Sequence, residues 1–205
     1  MEAVAIFHSP FKEKFGIPRQ SGVVSEVPGF ITLAPPYRTP DAIRGLEDFD
    51  YLWLVWQPNQ TQRATMVRPP RLGGNRKVGI FASRSPIRPN PIGLSSVLID
   101  HIDYDAPDAP VIYVKGADIL DGTPILDIKP YIAYTDAHPD ARGGFTDKVQ
   151  WQPLEVIGTD DAVLRQILQQ DPRPHYHDDP ERIYGMQYGG RDIHFKVCGN
   201  TLTVL

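Results

Sequence analysis

Cysteine is almost missing from this chain. Cys198 is the single one among 205 residues, which excludes an internal disulfide and a multi-cysteine zinc site. It is read as a small packed or surface residue and not as a nucleophile. Long apolar runs are missing as well, since no stretch approaches the roughly 18 residues of a membrane span. The opening MEAVAIFHSP has no basic leader and only a short apolar run, so no signal peptide is expected and a cytoplasmic location is. Nucleotide fingerprints are missing too. RLGGN does not fit G-x-G-x-x-G, and neither G-K-[ST] nor G-x-S-x-G occurs.

The most informative gap is in acidic residues. None lies between Asp50 and Asp100, an interval that carries Arg63, Arg68, Arg71, Arg76, Lys77, Arg84 and Arg88. The whole chain has a net charge of −4, so the remainder carries −11. Two readings stand: a solvated face with chance clustering, or a basic grip for a polyanion on an acidic protein.

Proline is abundant, at 21 residues, about twice average usage. It fixes φ and lacks an amide donor, so it disfavours long helices and favours short strands with shaped loops. Strands are expected at VAIFHS, GFITLAPPY (ending at Pro35), YLWLVWQ, KVGIFAS and LSSVLIDHI. FKEKFGIPRQSGVV reads as a loop, broken by Gly16 and Pro18, and residues 58–76 as a long polar, basic one. PDAIRGLEDF carries Ile43, Leu46 and Phe49 at helical spacing and predicts a short helix. PVIYVKGADILDGTPILDIKPYI predicts a hairpin turning at Asp121-Gly122. A linker follows near residues 136–144. A helix is then expected over DDAVLRQILQQD, capped by Asp160 or Asp161, and two or three short strands over IYGMQYGGRDIHFKVCGNTLTVL.

Strands do not alternate with long helices. The fold class is therefore mainly β: an antiparallel β-barrel or sandwich as the core domain over residues 1–140 and a small α+β C-terminal domain over 145–205. His175, His177, Asp178 and Asp179 read as a polar loop, without the further ligands a metal site needs.

Three segments hold polar groups on constrained backbone. One is GIPRQ, with Arg19 and Gln20. The second is the proline-rich link RSPIRPNP, with Arg84, Arg88 and Asn90. The third is DILDGTPILDIKPY, where Asp127 and Lys129 interrupt an apolar strand on one face. The plain alternatives are a salt bridge for Arg88 and a simple turn for Asp121-Gly122.

FKEKFGIPRQSG, RPPRLGGN, VGIFASRSPIRPNPIGLS and DGTPILDIKPY together resemble the TrmO family of S-adenosylmethionine-dependent tRNA methyltransferases, over most of residues 5–135. QDPRP at 170–174 resembles the signature of that family's small C-terminal domain. The resemblance implies a β-barrel homodimer with the cofactor near the interface. It also implies methylation of the N6 nitrogen of N6-threonylcarbamoyladenosine at tRNA position 37. By motif, the implied cofactor contacts are Pro18, Arg19 and Gln20, then Asn59 and Gln60, then Arg84 and Leu94. The Asp118–Thr123 turn completes them, with Asp118, Leu120, Asp121, Gly122 and Thr123. Family members often have His-Gln where this chain has Asn59-Gln60.

Methyl transfer needs alignment more than a nucleophile, and the acceptor nitrogen must lose a proton. Asp121 is the catalytic candidate, with turn fixing or cofactor binding as its alternatives. Arg63, Arg71, Arg76 and Lys77 are expected on tRNA phosphates. Arg88 and Asn90 are expected at the rim, by the nucleoside or a partner subunit. Trp53 and Trp56 would either bury area in a dimer or belong to the core. Outside this reading stand a non-catalytic barrel that senses a nucleotide-like ligand or RNA, and a protein-interaction barrel, which leaves the acid-free interval unexplained.

Overall fold

The computed structural model describes residues 1–58, 64–69, 76–148, 152–174, 177 and 179–205. Six strands close into an antiparallel barrel: β1 (Ala5–His8), β2 (Pro28–Leu33), β3 (Tyr51–Trp56), β6 (Gly93–Asp103), β7 (Val111–Lys115) and β8 (Thr123–Pro130). Around the barrel the order is β1-β2-β7-β6-β3-β8, and β8 closes onto β1. Alternation decides the inward face. Phe7, Ile31, Leu52, Leu54, Val97, Ile112 and Ile125 are buried inside, while their sequence neighbours point outward. Between β3 and β6, β4 (Met66–Val67) and β5 (Val78–Gly79) form a small separate ribbon.

The expected hairpin over 110–132 is not there. β7 pairs with β2 and β6, and β8 pairs with β1 and β3. Both edges of each strand are taken by barrel closure, so they never pair with each other. The turn chemistry was real but served another purpose. Gly122 has φ 74°, and its amide donates to the Phe7 carbonyl at 2.9 Å, which starts β8 beside β1. The helix expected over PDAIRGLEDF is instead two 3-10 turns, Pro40–Ile43 and Leu46–Asp48. Gly45 at φ 85° separates them, because left-handed backbone cannot continue a right-handed helix. The strand expected at KVGIFAS is only β5, followed by a 3-10 turn at Ile80–Ala82.

The C-terminal part has a core of its own. A sheet of order β10-β11-β12-β9 is built from β10 (Tyr184–Tyr188), β11 (Arg191–Cys198), β12 (Thr201–Val204) and β9 (Glu155–Ile157). A short turn of helix, α1 (Ala133–Asp136), leaves the barrel, and α2 (Ala162–Gln169) lies on the second sheet. Asp161 caps α2, its Oδ1 accepting from the amides of Val163 at 3.1 Å and Leu164 at 3.0 Å. Leu164, Ile167 and Leu168 are buried against the sheet.

This second core reaches back across the chain. Phe11, Val24 and Val27, from the segment that reads as a loop, are buried among Leu164, Leu168, Phe195 and Leu202. Phe15 stacks on Phe195 with ring centroids 6.4 Å apart. Burying a side chain of this size contributes about 1.5–3 kcal/mol, so residues 11–27 are held firmly. On the other side the same segment is tied to the barrel. The Gly22 amide donates to Gly116 O at 2.8 Å, and the Ser96 amide to Ser21 Oγ at 3.1 Å.

Candidate active site

At one end of the barrel lies a cleft of about 1200 Å³. Segment 17–20 forms one wall. The proline-rich link, with Arg84, Pro86, Arg88 and Pro89, forms another and continues through Pro91 into Leu94. Trp56, Gln57 and Pro58 close a third side. Asp118 and the Leu120–Pro124 stretch make the floor. The cleft brings together Pro18, Arg19, Gln20, Arg84, Leu94, Asp118, Leu120, Asp121, Gly122 and Thr123 from the candidate cofactor set. Asn59 and Gln60 lie outside the described residues, directly after the wall residue Pro58.

The candidate substrate residues divide. Arg88 borders the cleft. Asn90 is exposed and outside it. Asp127 and Lys129 pair with each other at 3.0 Å on β8, away from the cleft. Arg76 and Lys77 are exposed just before β5, while Arg63 and Arg71 lie outside the described residues, as do His175 and Asp178.

The link is stiff for reasons beyond its prolines. Arg88 folds back on it, its Nε donating to Ser85 O at 3.0 Å and its Nη2 to Ser83 O. Ser83 Oγ accepts from the Ser85 amide at 3.3 Å, and Ser85 Oγ from the Ile87 amide at 3.2 Å. Arg88 therefore braces the loop it stands on. Arg84 reaches the opposite wall, where its Nη1 donates to Gln20 Oε1 at 3.1 Å.

Two carboxylates share the floor in opposite electrostatic settings. Asp118 accepts from Ser95 Oγ at 2.5 Å, and Ser95 Oγ accepts from Trp56 Nε1 at 3.0 Å. Burial pushes the Asp118 carboxyl above its ordinary pKa, against the opposing pull of Ser95, backbone amides and the Arg84 charge. Asp121 accepts from Lys12 Nζ at 2.5 Å and from the Ser9 amide at 3.0 Å. Burial raises its pKa too, but the Lys12 bond, the Ser9 amide and the charges of Lys12 and His8 outweigh it and hold the carboxyl below the usual value.

Sequence reasoning missed Trp56 and Ser95 as parts of the site, and Lys12 as the partner of Asp121. Ser95 had one usable signal: it falls on the inward phase of β6, where a buried hydroxyl needs a partner. Lys12 gave none, since its contact spans 109 residues. Trp53 is half-buried, and its Nε1 donates to Asp136 Oδ2 at 2.9 Å, so it ties α1 to β3.

A closed barrel whose mouth is walled by braced loops, with cations and carboxylates facing one another, defines a barrel protein with a nucleotide-sized ligand or catalytic site. Family models assign more. The tRNA-methyltransferase O N-terminal domain matches residues 6–137, and the TrmO C-terminal domain matches residues 148–205. The chain belongs to the tRNA-methyltransferase O family.

Among curated relatives, the tRNA (adenine(37)-N6)-methyltransferase of Escherichia coli is 38% identical over 194 residues, covering 85% of this chain and 82% of that protein. The protein of the same name from Eikenella corrodens is 44% identical, covering 69% of this chain and 81% of its own length. A relative in Pseudomonas aeruginosa, described as a putative S-adenosylmethionine-dependent methyltransferase, is 37% identical over 94% of this chain and 90% of its own. A crystal structure of TrmO superposes with a TM-score of 0.80 at 32% identity, covering 99% of this chain and 95% of that one.

Proposed function

We propose that the protein transfers a methyl group from S-adenosylmethionine to the N6 nitrogen of adenosine 37 in tRNA, and that the base it accepts is N6-threonylcarbamoyladenosine. One observation carries this reading. In a chain of this family, segments 17–20, 84–94 and 118–124, far apart in sequence, converge on a single cleft. The cleft fits the cofactor. Its 1200 Å³ exceeds the roughly 300–1,000 Å³ of a small-molecule site, leaving room for part of a nucleoside. Carboxylates at the floor suit a cationic ligand, and Arg84 suits a carboxylate. Trp56, Leu94 and Leu120 offer apolar surface.

S-adenosylmethionine supplies an electrophilic methyl group on a sulfonium. The chain's own residues have three tasks. Pro18, Arg19, Gln20, Arg84, Leu94 and the 118–123 turn hold the donor, together with Asn59 and Gln60, which follow the cleft residue Pro58 in sequence. The braced link keeps Arg84 and Arg88 in place without reorganisation, so alignment supplies the rate. A carboxylate takes the proton from the acceptor nitrogen. We assign that task to Asp118 in place of Asp121, because Asp118 has the raised proton affinity while Asp121 is engaged by Lys12 and Ser9. Asp121 then fixes the turn that starts β8.

Arg63, Arg71, Arg76 and Lys77 are assigned to tRNA phosphates, and Arg88 with Asn90 to the rim. Asp127 and Lys129 stay with the substrate only if tRNA wraps onto the outer face of β8. The same reading includes a homodimer, acting in the cytoplasm. Support for the dimer comes from apolar side chains beside the cleft: Leu94 is 50% exposed and Phe81 82%. The test is incubation with labelled S-adenosylmethionine and tRNA, followed by mass spectrometry of nucleoside 37. Methylated N6-threonylcarbamoyladenosine is expected. Label on unmodified adenosine instead would refute the substrate assignment. Cofactor binding without transfer would favour a non-catalytic sensor, a reading the methyltransferase relatives disfavour.

A further inference from the structure

The cleft wall at 17–20 is fastened from the second domain. Arg19 Nη2 donates to the carbonyl of Asp171 at 3.1 Å and to that of Arg173 at 3.3 Å. Those carbonyls belong to the loop that leaves α2, where helix C-terminal polarity favours a cation. The loop is itself rigid. Asp171 is the one non-glycine with positive φ among the described residues, at 49°. Its carboxylate clamps Arg173 with two bonds, Nε to Oδ1 at 2.8 Å and Nη2 to Oδ2 at 2.9 Å. The Arg173 side chain is only 13% exposed, so this pair is a partly buried fork and not a surface contact. From Arg19 the connection runs on: Gln20 Nε2 donates to Arg19 O at 2.6 Å, and Arg84 Nη1 to Gln20 Oε1 at 3.1 Å.

We propose that Asp171 and Arg173 are positioning residues for the cofactor: their clamp presents two carbonyls to Arg19 and so sets the wall on which Gln20 and Arg84 meet. The second domain is thereby part of the active site without lining it. Packing supports the same role. Gly16 lies against Met186, where an added Cβ would stand 2.3 Å from Cε, and the Gln187 amide donates to Glu13 Oε1 at 2.9 Å. Segment 11–27 packs on the second sheet and is hydrogen-bonded to the barrel. A side-chain fork fixed on one domain therefore registers in the ligand wall of the other. The proposal rests on the reading of the cleft as an S-adenosylmethionine site, and its test separates the two.

The experiment uses the full chain as wild type, Arg173→Ala, Arg173→Lys and Arg19→Lys. It measures amide hydrogen exchange without ligand, calorimetric titration with S-adenosylmethionine, and thermal midpoint. Arg173→Ala should speed exchange at residues 17–22 while β8 stays protected. It should also raise the cofactor Kd roughly tenfold, and Arg173→Lys should recover part of both changes. With tRNA, the KM for cofactor should rise more than kcat falls. If Arg173→Ala does not fold, Arg19→Lys, which keeps the charge and loses the guanidinium Nη2 that donates to both carbonyls, should show the same pair of changes. A lowered thermal midpoint with unchanged exchange at 17–22 and unchanged Kd overturns the positioning role. Failure of wild type to bind S-adenosylmethionine overturns the cofactor reading instead. Loosening of 17–22 in the variants still decides whether the clamp holds that wall.

Discussion

Asp118 and Asp121 belong to one turn and face one cleft, yet their surroundings move their proton affinities in opposite directions. For Asp118 the folded pKa lies above the unfolded one, chiefly through burial. Its contribution to stability is therefore complete below the unfolded pKa and is lost as pH rises through the folded value. Once ionised, the buried carboxylate is a cost to the fold. Asp118→Asn should then melt no lower than wild type at pH 7, and the difference should shrink toward pH 4. Ser95 retains an acceptor in the new amide oxygen. Methyl transfer should fall by about 10²-fold or more. Melting curves from pH 4 to 8 with initial rates alongside check both halves. A variant that loses stability at pH 7 and keeps its rate would remove Asp118 as the proton acceptor.

At the scale of elements, local pattern and distant pairing part company. The barrel strands were legible because they are short runs rich in aromatic and β-branched residues, bounded by proline, glycine and polar residues. Helix α2 was legible from its cap and its buried stripe. The hairpin at Asp121-Gly122 was misread, because a turn dipeptide reports backbone conformation and not which strand lies alongside. Closure onto β1 and β3 decided that. The role of 11–27 was hidden for a similar reason: Phe11, Val24 and Val27 have no periodicity, and their partners lie over a hundred residues away. Most cleft contacts came from family resemblance, since nothing local marks Leu94 or Thr123 as a ligand neighbour.

One element does carry a local sign. Gly93, at the first position of β6, is paired with Trp56 and buried. A Cβ there would stand 2.1 Å from Trp56 Cε2, and ring and backbone cannot both stay. Gly93→Ala should displace Trp56, break its bond to Ser95 and loosen the support of Asp118. The expected loss is about 1–3 kcal/mol of stability, with weaker cofactor binding. Denaturant melts and cofactor titration measure both, and wild-type values in each would show that the indole does not organise the floor.

Across the whole molecule the decisive quantity is where the charge sits. An acidic protein repels RNA on average, so tRNA must be held where the local field is positive. Arg68 leaves the ribbon strand β4, and Arg76 and Lys77 enter its partner β5, so three exposed cations gather at one end of the β4–β5 ribbon. The other end runs into the link that carries Arg84 and Arg88 beside the cleft. No acidic residue interrupts this stretch of sequence. Contacts of this kind grip phosphates and read no base. Each phosphate contact contributes a salt slope of about 0.9 for duplex-like RNA and about 0.7 for a single strand. Lys77→Ala and Arg71→Ala should therefore each lower the slope of log affinity against log salt by roughly that amount. Binding should weaken about equally for every tRNA offered. Cofactor affinity should stay unchanged, because Lys77 does not border the cleft. The measurement is tRNA affinity at four or more salt concentrations for wild type and both variants, with cofactor titrations beside it. Equal slopes in all three proteins would end the phosphate assignment. A loss confined to one tRNA would move these residues from holding the backbone to reading its shape or sequence.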